Sequence, residues 1–260
     1  MLIEELIELK TTSSLDNTEQ PFLFYRAKGD EKRPLLVGLH TWSYDRFNQI
    51  ENMLPYAKKY NFNLLLPEFR GPNMRVSESG YINPDCTKAC GSEYAKQDVF
   101  DAIEYVKEKF GIDEENIFAL GLSGGGHMAL LCGAKDPKMF KAIGAYVPVC
   151  DLERFLGENS HYAPHVRECC SESVDEMKKR SPSSYAKELS LANIKIFHGK
   201  FDDVVPFKQS LDLYQAILEI APSARVFLDI FDGGHEISME HAFDWLLSQY
   251  NKKELATVSG

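Results

Sequence analysis

A strand-like apolar run that ends in a serine set among glycines constrains this chain more than any other feature. Residues 119–127 read Ala-Leu-Gly-Leu-Ser-Gly-Gly-Gly-His. Ile117-Phe118-Ala119-Leu120 predicts a strand, and Met128-Ala129-Leu130-Leu131 predicts the start of a buried helix. Between them, Gly121-Leu122-Ser123-Gly124-Gly125 is a G-x-S-x-G pattern. A serine on so sharp a turn is pushed outward into strained backbone space, and glycine on either side removes the Cβ atoms that would clash there. The helix behind aims its N-terminal amides at any anion that forms beside the serine. Such a turn also suits phosphate, and the pattern arises by chance. The nucleophile reading therefore needs a base and an acid elsewhere in the chain.

The rest of the chain supplies a setting. Residues 3–10 and 22–27 predict an opening antiparallel pair, joined by a polar stretch. Strands follow at 35–40, 63–67, 116–120, 142–149, 195–198 and 226–231. A helix over 49–60 places Ile50, Met53, Leu54 and Ala57 on one face. Ser92 caps a helix over 93–110 with an Ala95, Val99, Ala102, Ile103 and Val106 stripe, and Gly111 ends it. Pro206 opens a helix with Phe207, Leu211, Tyr214, Ile217 and Leu218 toward the core, and a last helix covers 238–249. Strands alternating with helices imply a mostly parallel sheet with helices on both faces. No repeat or linker appears, so residues 1–260 read as one domain, within the length such a domain can reach. Residues 150–190 break the rhythm and read as a lid-like insertion.

Charge narrows the partners. The net charge of −10 argues against nucleic acid and against an anionic membrane surface. No apolar run approaches the length of a membrane span. The opening Met1-Leu2-Ile3-Glu4-Glu5-Leu6 is acidic rather than basic, which predicts no signal peptide and a cytoplasmic protein. The six cysteines are then expected as reduced thiols. Neither Cys86/Cys90 nor Cys169-Cys170 has the spacing of a zinc site, so no metal is expected.

His235 is the candidate base, in Asp232-Gly233-Gly234-His235 directly after the last strand. An imidazole needs a carboxylate to hold its tautomer, and Asp202-Asp203 follow the strand that ends at His198. In open parallel sheets the chemistry gathers at the carboxyl ends of the strands, where His40, Ser123, Asp202 and His235 all fall. Taken singly, each has a structural reading as a turn or capping residue. Together they keep the order serine, aspartate, histidine, which is that of the α/β-hydrolases.

The chain resembles the catalytic domain of the prolyl oligopeptidase family within that superfamily. The resemblance rests on His198-Gly199-x-x-Asp202-Asp203-x-Val205-Pro206 with the trailing Gln209-Ser210, on the Gly121–Gly125 turn and on Gly233-Gly234-His235. It covers about residues 20–250 and implies that Asp202 is the triad acid, which leaves Asp203 to cap the helix at Pro206. Phe69-Arg70-Gly71-Pro72 and Tyr94-x-x-x-Asp98 also look family-like. Two departures stand out. Family peptidases carry a β-propeller ahead of the hydrolase domain, whereas only about 30 residues precede the core here. Many use a tyrosine hydroxyl as oxyanion donor, and His40-Thr41-Trp42-Ser43-Tyr44 has His40 near that place.

The expectation is an α/β-hydrolase fold with a small lid insertion, acting as a serine carboxylesterase through an acyl-enzyme and needing no cofactor. Ser123, Asp202 and His235 form the catalytic set. The amides of Gly124 and of Trp42 or Thr41 hold the oxyanion, and Phe155, Tyr162 and His161 contact substrate. The substrate is a small ester or a short peptide, and a homo-oligomer stays open. A small exopeptidase or acyl-peptide hydrolase is the second enzymatic reading, and a silent ligand-binding fold is the alternative of another class.

Overall fold

Strands that are buried on both faces cannot alternate apolar with polar residues, and this chain's central strands do not. The computed structural model describes residues 5–77 and 80–250. In it, β1 (Ile7–Thr12), β2 (Glu19–Tyr25), β3 (Leu35–Leu39), β4 (Asn63–Pro67), β5 (Ile117–Leu122), β6 (Ala142–Tyr146), β7 (Ile194–Gly199) and β8 (Val226–Phe231) form one sheet. Every position of β3, β4 and β6 is buried, as expected of strands covered on both sides. The strand order is β1-β2-β4-β3-β5-β6-β7-β8. β1 and β2 run antiparallel to their neighbours, and the remaining pairs are parallel. The register sets Leu39 beside Gly121, Leu122 beside Tyr146 and Gly199 beside Phe231, so the strands that carry the candidate residues end at one rim.

Helices cover both faces. α1 (Ile50–Tyr60) buries Ile50, Met53, Leu54 and Ala57 as its spacing predicts. α2 (Glu93–Phe110) begins at Ser92, whose hydroxyl accepts from the Ala95 amide, and stops at a left-handed Gly111. α3 (Gly124–Lys135) follows the serine and is buried through nearly its whole length. Between β6 and β7 lie α4 (Leu152–Glu158), α5 (Ala163–Cys169), α6 (Val174–Lys179) and α7 (Ala186–Leu189). α8 (Lys208–Ile220) and α9 (Met239–Gln249) complete the set. One core cluster joins α2, α3 and α8 to one face of the sheet, and a second joins α1 and α9 to the other. No helix among the described residues is long and apolar enough to cross a membrane.

Several boundaries differ from the sequence expectation. The first strand starts at Ile7 rather than residue 3, and residues 3 and 4 lie outside the described residues, as do Met1 and Leu2 of the opening segment. The second spans Glu19–Tyr25 instead of 22–27, and the strand expected to reach 149 stops at Tyr146. α8 is rotated from the expected face. It buries Gln209, Ser210, Leu213 and Ile217, while Phe207, Leu211, Tyr214 and Leu218 are only partly covered. Its capping position is Phe207 without a side-chain cap, and Asp203 is exposed, so Asp203 does not start this helix. The polar residues turn inward because buried groups elsewhere need their hydrogen bonds. Gln209 Oε1 accepts from the Cys150 and Asp151 amides, both at 2.8 Å.

The family-like Arg70 and Asp98 form a buried ion pair that fastens the long 68–92 connection. Arg70 Nε donates to Asp98 Oδ2 at 2.5 Å, Nη1 to Asp16 Oδ2 at 2.9 Å and Nη2 to Ser13 Oγ at 3.0 Å. The guanidinium thus joins α2 to the β1–β2 turn. Burial pushes the Asp98 carboxyl upward, and Arg70 pulls it the other way without cancelling the shift. Arg70→Met should destabilise the fold by about 3–5 kcal/mol, because it leaves Asp98 charged and buried without its partner. Urea unfolding measures this, and a loss below about 1 kcal/mol, the worth of an exposed pair, would contradict it.

Candidate active site

Ser123 occupies the strained position its neighbours predict. It has φ 57° and ψ −116°, a left-handed backbone that a β-carbon resists. Its amide donates to the Tyr146 carbonyl at 2.8 Å, and its carbonyl accepts from the His127 amide at 2.9 Å. Gly121 is required for the turn to close, since a β-carbon there would lie 2.2 Å from the Gly125 carbonyl. The serine therefore stands at the end of β5, held by β6 on one side and by α3 on the other.

The oxyanion candidates separate by what their amides already do. A β-carbon on Gly124 would lie 2.6 Å from the Trp42 amide nitrogen, so the two backbones touch. The Thr41 amide is taken, donating to Asn48 Oδ1 at 3.0 Å. The Gly124 and Trp42 amides have no hydrogen-bond partner among the described residues. Of the two donors considered from this loop, Trp42 is the one left available beside the serine. His40 lies beneath, stacked on Phe69 with ring centroids 3.8 Å apart. Its two nitrogens face the Thr41 and Glu68 carbonyls, each at 2.9 Å.

Asp202 and His235 come together from two separate loops. His235 Nδ1 lies 2.8 Å from Asp202 Oδ2. The other oxygen, Oδ1, accepts from the Val204 amide at 2.9 Å and the Val205 amide at 2.8 Å. The loops themselves are joined by Lys200 and Phe201 amides donating to the Phe231 and Gly233 carbonyls, both at 2.9 Å. Burial on its own would push the Asp202 carboxyl up. Donation from His198, His235 and the Val205 amide outweighs it and holds the group well below the usual carboxylate range.

A cavity of about 10 Å³ opens at Ser123, lined by Trp42, Val149, Phe155, Tyr162, Val204 and Val205. Phe155 and Tyr162 were expected here; Val149, Val204 and Val205 were not. Valines in an apolar loop give no sequence signal of facing a site. His161 is exposed, sits edge-on to Tyr162 and does not line this cavity. A much roomier hollow of about 670 Å³ lies at the opposite ends of the strands, near Glu114, Lys138 and Arg225, and contains none of these residues. The wall around Phe155 continues into a core that includes Cys86, Cys90, Cys169 and Cys170; all six cysteines are buried as free thiols. Among the described residues, no group of three or more histidine, cysteine or acidic side chains is arranged to hold a metal ion.

The sequence profile of the prolyl oligopeptidase family matches residues 88–251, more than half of the chain. The chain belongs to the prolyl oligopeptidase family. It has the α/β-hydrolase fold. Acylamino-acid-releasing enzyme 1 of Oryza sativa subsp. japonica is 24% identical over 232 residues, which is 82% of this chain and 29% of that protein. The chain thus spans less than a third of this relative's length. The acylaminoacyl peptidase of Pyrococcus horikoshii superposes with a TM-score of 0.71 at 19% identity, over 95% of this chain and 42% of its own. An esterase of Pyrococcus furiosus superposes with a TM-score of 0.67 at 16% identity, over 94% of this chain and 90% of its own. At these identities the two structures show the shared fold.

Asp202→Asn should reduce turnover about 10⁴-fold, because an amide no longer fixes the imidazole tautomer. Its stability effect should depend on pH in one direction. A carboxyl held below its unfolded value stabilises above about pH 4 and loses that contribution as pH falls. The stability gap between wild type and variant should be widest near neutrality and narrow in acid. Parallel kinetic and urea measurements check both, and a gap that widens in acid would refute the assignment.

Proposed function

We propose that the chain is a serine carboxylesterase that prefers short acyl groups. Ser123 attacks the ester carbonyl. His235 takes its proton through Nε2, since Nδ1 is turned to Asp202 at 2.8 Å. The Trp42 and Gly124 amides receive the developing oxyanion, where fixed donors outperform water because they need no reorientation. The alcohol leaves with the proton from His235, and water then releases the acyl group by the reverse path. The observation that carries the short-acyl reading is the cavity beside Ser123. It is narrow and walled by the apolar side chains of Trp42, Val149, Phe155, Tyr162, Val204 and Val205, which favours a small acyl group. A peptide amide would also need a well-aimed proton for a poor leaving group and extended binding to align it.

A second reading, an acyl-peptide hydrolase, is favoured by one observation. The likeness to the rice acylamino-acid-releasing enzyme runs through 82% of this chain. p-Nitrophenyl acetate and butyrate compared with acylaminoacyl p-nitroanilides separate the two. A higher kcat/KM on any anilide would establish the peptidase reading.

Ser123→Ala should lower ester turnover by about 10⁴- to 10⁶-fold with the melting transition intact. A variant that keeps a tenth or so of wild-type turnover, far above that scale, would remove Ser123 from the mechanism. Phe155→Ala or Tyr162→Ala should enlarge the acyl cavity and move the preferred chain length upward, while a fluorophosphonate probe still labels Ser123. An unchanged chain-length profile in both would show that these rings do not limit the acyl group, and with them the lid role of residues 150–190 would fall.

A further inference from the structure

The proposed reaction scheme uses one histidine on Asp202, but the structure places two there. His198, near the end of β7, is fully buried. Its Nε2 lies 2.8 Å from the Val205 carbonyl and 3.3 Å from Asp202 Oδ2. Both partners can only accept, so Nε2 carries a proton and shares it between them. Its Nδ1 lies 2.7 Å from Ser210 Oγ. Ser210, also fully buried, sits in the first turn of α8, on the face that turns inward in place of the expected leucines. Its hydroxyl donates to Nδ1 and selects the tautomer in which Nε2 donates.

We propose that His198 is a positioning residue for the reaction, acting through Asp202 with Ser210 setting its tautomer. This rests on the Ser123–Asp202–His235 reading above. Asp202 Oδ1 is fixed by two backbone amides, and Oδ2 is shared by two imidazoles, at 2.8 Å and 3.3 Å. Removing the second imidazole frees one side of Oδ2. The carboxylate can then rotate out of the plane His235 requires, and more of its charge falls on His235. The groups facing Asp202 are the two histidines and the Val204 and Val205 amides, with Ser210 behind His198. No other charged side chain is hydrogen-bonded to this carboxylate among the described residues.

The test uses the full chain and p-nitrophenyl acetate. His198→Phe keeps a ring but loses the donor, His198→Gln restores an amide N–H, and Ser210→Ala removes the tautomer-setting hydroxyl. His198→Phe should lower kcat about 10- to 100-fold, the scale typical of groups that orient a catalytic ligand, with KM little changed. The acid limb of its kcat/KM profile should move to higher pH. His198→Gln should recover most of the loss, and Ser210→Ala should fall between wild type and His198→Phe. In an Asp202→Asn background, His198→Phe should have little further effect, whereas a merely structural role would act independently of Asp202. A folded His198→Phe variant with wild-type kcat and an unmoved acid limb would overturn the proposal. So would a glutamine variant no better than phenylalanine. If His198→Phe does not fold, Ser210→Ala decides, and wild-type kcat and pH profile in that variant reject the proposal. Ser123→Ala and Asp202→Asn run in parallel. Activity surviving in those would refute the triad reading itself, whereas their inactivity beside unaffected His198 and Ser210 variants would refute only this one.

Discussion

A carboxylate removed from water must receive its hydrogen bonds from the protein, and Asp202 receives three, with a second imidazole as a longer fourth contact. Two come from the Val204 and Val205 amides of its own loop and one from His235 beyond β8, while His198 Nε2 on β7 lies 3.3 Å from Oδ2. An ionised group with its side chain fully covered would be strongly destabilising without them. Satisfying it fixes the turn after β7, the end of β7 and the loop after β8 together. It also explains why α8 presents a serine to the interior, because His198 needs a donor at Nδ1 if its Nε2 is to serve the carboxylate. The pairing of His235 with Asp202 thus follows from one buried charge and the donors gathered around it.

The serine side is organised by backbone rather than by charge. Ser123 holds a strained conformation, which persists only if its surroundings leave no alternative. The amide of Ser123 is tied to β6, and Gly121 lets α3 pack onto β5. Gly124 brings α3 against the Trp42 backbone, so the same close approach that seats the helix also pairs two unclaimed amides. Strain at Ser123 and the availability of the Gly124 and Trp42 amides have a common origin in that contact.

Much of this was legible in the residues. Helices with a clear apolar stripe, such as α1 and α2, appeared with the buried positions their periodicity predicts. Parallel strands also declared themselves as short apolar runs. The failures share a cause. The spacing in α8 predicts an apolar face, but the buried polar needs of Cys150, Asp151 and His198 turn Gln209 and Ser210 inward and Leu211 aside. Asp203 resembled a helix cap because it precedes Pro206, yet the helix starts two residues past that proline. The sequence predicts His161 beside Tyr162 at the substrate, and the structure leaves it exposed, just ahead of the short α5. Periodicity reports where apolar surface goes; it does not report which buried polar atom must be answered by a residue far along the chain.

The insertion between β6 and β7 carries a constraint of the same kind. Its rings Phe155 and Tyr162 lie 6.5 Å and 6.1 Å from Trp42, centroid to centroid, and all three belong to or pack on one apolar cluster with Val166, Met177 and four cysteines. Gln209 fastens the start of this insertion to α8 through the Cys150 and Asp151 amides. The wall of the cavity beside Ser123 is therefore a continuation of a packed core. Removing a buried aromatic ring from such a core costs about 3–5 kcal/mol, part of it for the space left behind. On the esterase reading proposed above, the space that costs stability is the space a longer acyl chain would fill, so bound substrate would return some of what the free protein loses. On that reading, acyl specificity and stability are coupled through the same side chains. A change toward larger substrates would need compensation in the α4–α6 packing, because Ser123 and Asp202 are held from the sheet and do not depend on the size of that cavity.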